Sequence, residues 1–353
     1  EIDIQRGEIL RAGARIELTP KEFDLAVVLF RNGEGPDSRL MGFTIQHGSG
    51  DYDGSGGAVS CDAYGPVASP YLADCIIERS NTDFLEVGSG AAGLHGNATL
   101  ERCVLRQNNT FHFAGGAAEG VLTMLQCVVE DNWSCDGGGG LRLLPGSFVQ
   151  DCVIQRNSTG PCGYHGVEYH SFGGGIRADS GPVEIVGCVL RDNWVDEYPE
   201  AGEPGGCFGF NFGGGLSAGA GVTLRRCTIL GNRAENCGQV GGILGSPTLV
   251  DSIVSGNEDA PGYYAAQSSF RFSDVQGGAA GPGSFDAAPL FLDPSGGDLR
   301  LHEGSPCIDA GDPTSALDAD GTRADLGAFP HPFAPVPLTV AWHEGATLRA
   351  QDP

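Results

Sequence analysis

Lysine is almost missing from this chain: Lys21 is the only one in 353 residues. Lys and Arg together number 20 against 45 Asp and Glu, a formal net charge of -25. Such a field repels nucleic acid, anionic membranes and acidic polysaccharides, and leaves neutral or cationic partners. It also keeps an edge-rich β protein in solution. No apolar run approaches the ~20 residues of a spanning helix. Glycine is abundant, at 58 residues, yet has no Gly-X-Y period, so the chain is not collagen-like. Its 12 cysteines include no zinc-site spacing. The first residue is Glu1, with neither a methionine nor an apolar leader, and the expectation is a processed product or a fragment.

What is present is a repeat. A cysteine, a β-branched residue, an aliphatic residue and, five places on, an asparagine recur at Cys103–Asn108, Cys127–Asn132, Cys152–Asn157, Cys188–Asn193 and Cys227–Asn232. Ser252–Asn257 has serine in the cysteine slot, Cys75 has its asparagine one late at Asn81, and Phe43 fills the slot before that. From Cys75 to Ser252 the slots are 28, 24, 25, 36, 39 and 25 residues apart. The short intervals suit three short strands plus turns, and the longer ones carry insertions between the asparagine and the next glycine run. Units of this size cannot bury their faces alone, so they stack into one core. Parallel coils lie ~4.8 Å apart, so equivalent residues form columns. The cysteine column is expected inside as small apolar packing. The asparagine column is expected to hydrogen-bond at a turn, each amide meeting its neighbour and the backbone.

Residues 1–33 read differently. Thr19-Pro20-Lys21-Glu22 supplies an N-cap, a first-turn proline and a capping-box glutamate, and Phe23, Ala26, Val27 and Phe30 continue an apolar face. Gly13–Arg31 resembles the start of the winged-helix DNA-binding domain of response regulators. No recognition helix or wing follows, so a DNA-binding regulator fragment rests on those residues alone. A cap over the open end of the stack is the other reading, and Val27–Phe30 as the first repeat strand a third. Further on, Gly33–Ser38 leading into Leu40–Ile45, Ser273–Gly277, Pro289–Asp293, Ser305–Gly311 and Asp318–Phe329 stand in an order of their own. With the repeat, they make the chain resemble secreted bacterial right-handed parallel β-helix proteins of the pectin-lyase-like superfamily, over roughly residues 27–330. The resemblance implies export and surface display, often as part of a larger protein, and implies no particular reaction.

Candidate chemistry falls beside the repeat. Two insertions leave the same corner of adjacent coils. One holds Tyr164, His165, Glu168, Tyr169 and His170; the other holds Asp196, Glu197 and Tyr198. Trp133 and Trp194 each directly follow a repeat asparagine. Aromatics beside carboxylates suit sugar stacking and hydrogen bonding, although the same loops could pack only on each other. Cys135, Cys162, Cys207 and Cys237 follow the asparagine in four successive units, so pairs such as Cys162–Cys207 are disulfide candidates in an oxidising compartment. Asp131 and Asp192, two coils and ~9.6 Å apart, with Glu130 beside them, are the catalytic candidates. Alternating signs in those columns also fit a structural charge ladder with Arg156 between the acids. Asp318, Asp320 and Asp325 resemble part of a calcium loop; the competing reading is an aspartate-rich closing turn with Arg323 as counter-ion.

The expectation is an all-β, right-handed parallel β-helix of about nine coils. Residues 1–33 are an N-terminal cap or a partial winged-helix-like segment; 34–330 is the β-helix with its closure; 331–353 is a proline-rich linker or the start of a further module. The expected role is a secreted or cell-surface module that binds a neutral glycan or another surface component without catalysis, next to neighbouring modules. Calcium is the one cofactor suggested. A polysaccharide hydrolase or lyase on the same scaffold is the alternative.

Overall fold

The computed structural model describes residues 28–30, 33–49, 57–61, 68–82, 90–111, 114–135, 137–160, 172–195, 213–234, 240–258, 268–278 and 280–331, with the backbone of 9–11 and 14–16. The chain winds as a parallel β-helix, right-handed as parallel crossovers are. One coil shows the plan: Leu141–Leu143, Phe148–Gln150, Val153–Gln155 and Ser158–Gly160 are four short strands around a closed section. Each pairs in parallel with the next coil, through Leu141↔Ile176, Phe148↔Glu184, Val153↔Val189 and Ser158↔Trp194. Among the described residues the stack therefore has an opening sheet of eight strands, second and third sheets of nine each, and a fourth of six.

That fourth sheet corrects the expectation of three strands per coil. It begins directly after the repeat asparagine, because the asparagine fixes the backbone on either side of it. Asn157 donates from Nδ2 to the Val129 carbonyl at 2.9 Å and to Asn193 Oδ1 at 3.0 Å. Its own Oδ1 accepts from Asn132 Nδ2 at 2.9 Å and from the Asn132 N–H at 3.1 Å. The same bonds run from Asn108 through Asn132, Asn193 and Asn232 to Asn257. In the coil of Cys75 the position belongs to Ser80, whose N–H donates to Asn108 Oδ1 at 3.2 Å. Asn81 instead is exposed and starts that coil's fourth strand.

Cys75, Cys103, Cys127, Cys152, Cys188 and Cys227 are buried free thiols within the core. Packing is only part of their role. The Cys127 N–H donates to Cys152 Sγ at 3.3 Å and the Cys152 N–H to Cys188 Sγ at 3.4 Å. Serine continues the chain of bonds, with Ser252 Oγ accepting from the Cys227 N–H at 3.1 Å and Ser273 Oγ from the Ser252 N–H at 3.2 Å. The slot therefore selects a small side chain with a hydrogen-bonding γ atom. Burial pushes the Cys127, Cys152, Cys188 and Cys227 thiols up, Cys227 to about 12, and hydrogen bonding to the next thiol of the column, with burial, does the same at Cys75 and Cys103, so they stay protonated.

Two left-handed corners per coil turn the section. One is the residue before the slot, including Asp74, Arg102, Gln126, Asp151, Gly187, Arg226 and Asp251; the other lies four past it, including Arg79, Gln107, Asp131, Arg156 and Asp192. The section closes where a glycine run meets the end of its own coil. A Cβ on Gly174 would lie 2.3 Å from the Trp194 carbonyl oxygen, so no larger residue fits.

Val28–Phe30 is the first strand of the opening sheet, which settles one of the three readings of that stretch and starts the helix before residue 34. Ile9–Arg11 and Ala14–Ile16 pair antiparallel. The helix expected from Thr19 lies outside the described residues, as does 332–353. At the other end Phe291–Asp293 and Asp298–Leu301 form an antiparallel pair. Leu301, Cys307 and Leu326 then bury against Ile253, and the chain returns along the stack, where the Gly327 N–H donates to the Asp251 carbonyl at 2.9 Å. Replacing Asn157 by Ala strands the Asn132 N–H in the core and removes one donor from the Val129 carbonyl. A loss of about 2–5 kcal/mol is expected, read as a lower urea midpoint with unchanged slope.

Candidate functional site

The asparagine ladder sets the register of the residue that follows it. In the fourth sheet that register runs Asn109↔Trp133↔Ser158↔Trp194↔Arg233. Trp133 and Trp194 thus share one outward column two coils apart, ~9.6 Å by the coil spacing. Ser158 between them is buried, and both indoles are half-buried. Neighbours orient both rings. Phe111 meets Trp133 edge-on, with centroids 5.2 Å apart and planes at 61°. The Arg233 guanidinium lies 5.2 Å from the Trp194 ring centroid.

The two insertions depart beside these rings, one after Ser158–Gly160 and the other after Trp194–Val195. Tyr164, His165, Glu168, Tyr169, His170, Asp196, Glu197 and Tyr198 lie outside the described residues, as do Cys162, Cys207 and Cys237. Cys135 is buried at the end of its strand and disulfide-bonded, with its partner outside the described residues.

Across the same corner the opening sheet carries a polar column that the sequence reading missed. Its register is Ser60↔His95↔Glu119↔Arg142↔Arg177↔Ser217. Arg142 Nη1 meets Glu119 Oε1 at 2.6 Å, and Arg177 Nε meets Asp179 Oδ1 at 2.8 Å. His95 Nδ1 stands 3.9 Å from Glu119 Oε2. The Phe172 ring covers Arg177 at 5.1 Å. The signal was available: Arg142, Arg177 and Ser217 each come two residues after the last glycine of a run.

The catalytic candidates do converge on one corner, but each faces an arginine. Asp131 takes Arg156 Nε at 2.9 Å and Nη2 at 3.0 Å, and Glu130 takes Arg156 Nη2 at 2.8 Å. Asp192 lies 3.7 Å from Arg191 Nε. Glu78–Arg106 extends the pattern at 2.7 Å, giving the alternating ladder expected from the charges.

Asp318, Asp320 and Asp325 serve turns. Asp318 accepts the Asp325 N–H at 2.7 Å, Asp320 the Thr322 N–H at 2.9 Å, and Asp325 the Asp309 N–H at 2.7 Å and the His331 N–H. Among the described residues no three acidic, His or Cys side chains form a group able to hold a metal ion. Arg323 does not act as their counter-ion, since it donates to the Gly311 and Ala310 carbonyls. Arg226 takes that role, 3.1 Å from Asp318 Oδ1. Burial nevertheless pushes the Asp318 and Asp325 carboxyls up.

No family model matches the chain, and no curated protein matches its sequence. Among solved structures, the crystal structure of pectate lyase Pel9A is similar, with a TM-score of 0.48 and 14% identity over 89% of this chain and 85% of that one. With its aspartates engaged by backbone donors, the closure should show the same melting temperature in millimolar calcium and in excess chelator. A calcium-dependent rise would show that those oxygens rearrange around an ion.

Proposed function

We propose that this chain is a secreted or cell-surface module that binds a neutral glycan, without catalysis, on the corner bearing Trp133 and Trp194. The observation that carries the reading is the indole pair, held in one outward column at two-coil spacing. Indole faces stack on the apolar C–H faces of sugar rings. Contacts from Phe111 and Arg233 preset the rings, so less ordering cost opposes binding. A net charge of -25 favours neutral over acidic polysaccharides. The two insertions that leave this corner carry tyrosines, histidines and acids in their sequence, residue types suited to sugar hydroxyls.

The arginine pairing of Glu130, Asp131 and Asp192 supports binding over hydrolysis or lysis, because a catalytic acid needs a carboxyl free to hold or give up a proton. Export, display at a cell surface and attachment to neighbouring modules belong to the same proposal. A glycan array followed by calorimetry tests it. Trp194→Ala and Trp133→Ala should each weaken the best neutral oligosaccharide at least about tenfold, which is 1.4 kcal/mol, with unchanged circular dichroism. Equal affinity in both variants, or no ligand on a broad array, overturns the reading.

A further inference from the structure

The corner column before the cysteine slot is closed by partner groups at some coils and open at Asp151. Asp74 is closed by Arg102 from the next coil, at 2.7 and 2.9 Å. Arg226 is closed by Asp318, and Asp251 by the Asp312 N–H and the Ser315 hydroxyl, all from the returning C-terminal segment. Asp151 faces Gly187 instead, where the next coil offers no side chain. Its side-chain donor is Gln150 Nε2, at 3.0 Å on its own coil. Asp151 Oδ1 lies 2.4 Å from where a Gly187 Cβ would stand, so the carboxylate leans into the gap.

A second gap of this kind, Asp192 before Gly231, opens directly to solvent, with the Asp192 side chain 55% exposed. At Gly187 the C-terminal segment roofs the gap and leaves a cleft of about 310 Å³. Val153, Val189 and Phe329 give it apolar walls, and Gln126 and Gln150 line it with amides. Three carboxylates, Asp151, Asp318 and Asp325, face it against the single Arg226. Asp318 and Asp325 already accept bonds from the backbone, which leaves Asp151 as the carboxylate available to a ligand. Burial without a cation beside it pushes the Asp151 carboxyl up. The volume stands at the small end of ligand sites.

We propose that this cleft binds a cationic head group, a primary ammonium or guanidinium on a short apolar stem, which takes the place of the side chain absent at Gly187 and pairs with Asp151. The stem lies along the valines and Phe329, and the two glutamine amides hydrogen-bond the head. A free small molecule and a Lys or Arg side chain of a partner protein share this chemistry, and the titration below separates them. The site lies on a different corner from Trp133 and Trp194 and does not rest on the glycan reading.

Calorimetric titration of the intact chain tests the proposal with n-butylguanidinium, n-butylammonium, n-butanol and the blocked peptide acetyl-Gly-Arg-Gly-amide. Saturable binding of the cations is expected, with none for butanol. Asp151→Asn should weaken it at least tenfold while keeping a melting temperature at neutral pH equal to or above that of the parent, since it removes a carboxylate that burial disfavours. Gly187→Arg should abolish binding by supplying the pair internally. The left-handed backbone there (φ 62) matches that of the non-glycine corners Asp151 (φ 51) and Arg226 (φ 50). Tighter binding of the peptide than of the free cations identifies a partner side chain as the source, and the reverse identifies a small molecule. No saturable binding by the parent chain, or equal affinity in Asp151→Asn, overturns the proposal.

Discussion

Coil-to-coil hydrogen bonding by the buried asparagines is the constraint on which the rest of this structure depends. A parallel stack satisfies its strand backbones by pairing, but each turn exposes N–H and C=O groups that the core cannot solvate. The Asn108–Asn257 column answers this with side chains. Each amide takes the preceding coil's N–H and gives to a carbonyl of an earlier strand. Because donor and acceptor lie on different coils, no coil can shift register alone. The cysteine and serine column repeats the device at another corner, with a sulfur or hydroxyl oxygen accepting the preceding coil's N–H.

Columns of this kind explain which features could be read from the sequence. Cys152 and Asn157 recur because every coil needs them, so their inward placement follows from the period. Ser80 could not be read, because its role depends on the Asn108 oxygen one coil away. The fourth strands escaped for a related reason: Asn109-Thr110 and Arg233-Ala234 have no apolar alternation, and their pairing is imposed by the ladder before them. Counter-ion assignment in the closure failed because Arg226 stands 92 residues from Asp318 in sequence, while Arg323 is local.

The indole pair was legible as a position, since Trp133 and Trp194 follow equivalent asparagines. The structure adds their common column and the aromatic and cationic neighbours that fix them. The polar column from Ser60 to Ser217 escaped, because it shows only when coils are aligned on the last glycine of each run, and the runs differ in length. Both columns border the corner from which the long insertions leave. This follows from close packing: a Cβ on Gly116 or Gly214 would strike the carbonyl of Trp133 or Arg233, so added chain is accommodated only between the fourth strand and the glycines.

Specific recognition on such a scaffold has to arise where a column departs from its rule, because an unbroken column satisfies itself. Charge ladders such as Glu78–Arg106 and Asp131–Arg156 are closed circuits, and a ligand would have to break one bond to make another. Trp133 and Trp194 depart from the polar rule of their column by exposing apolar faces. Gly187 departs from its column by withholding a side chain beneath a roof. The first departure offers surface to an uncharged partner and the second an unmatched carboxylate to a cation, which are the two partner classes that a chain with a charge of -25 can approach without electrostatic cost.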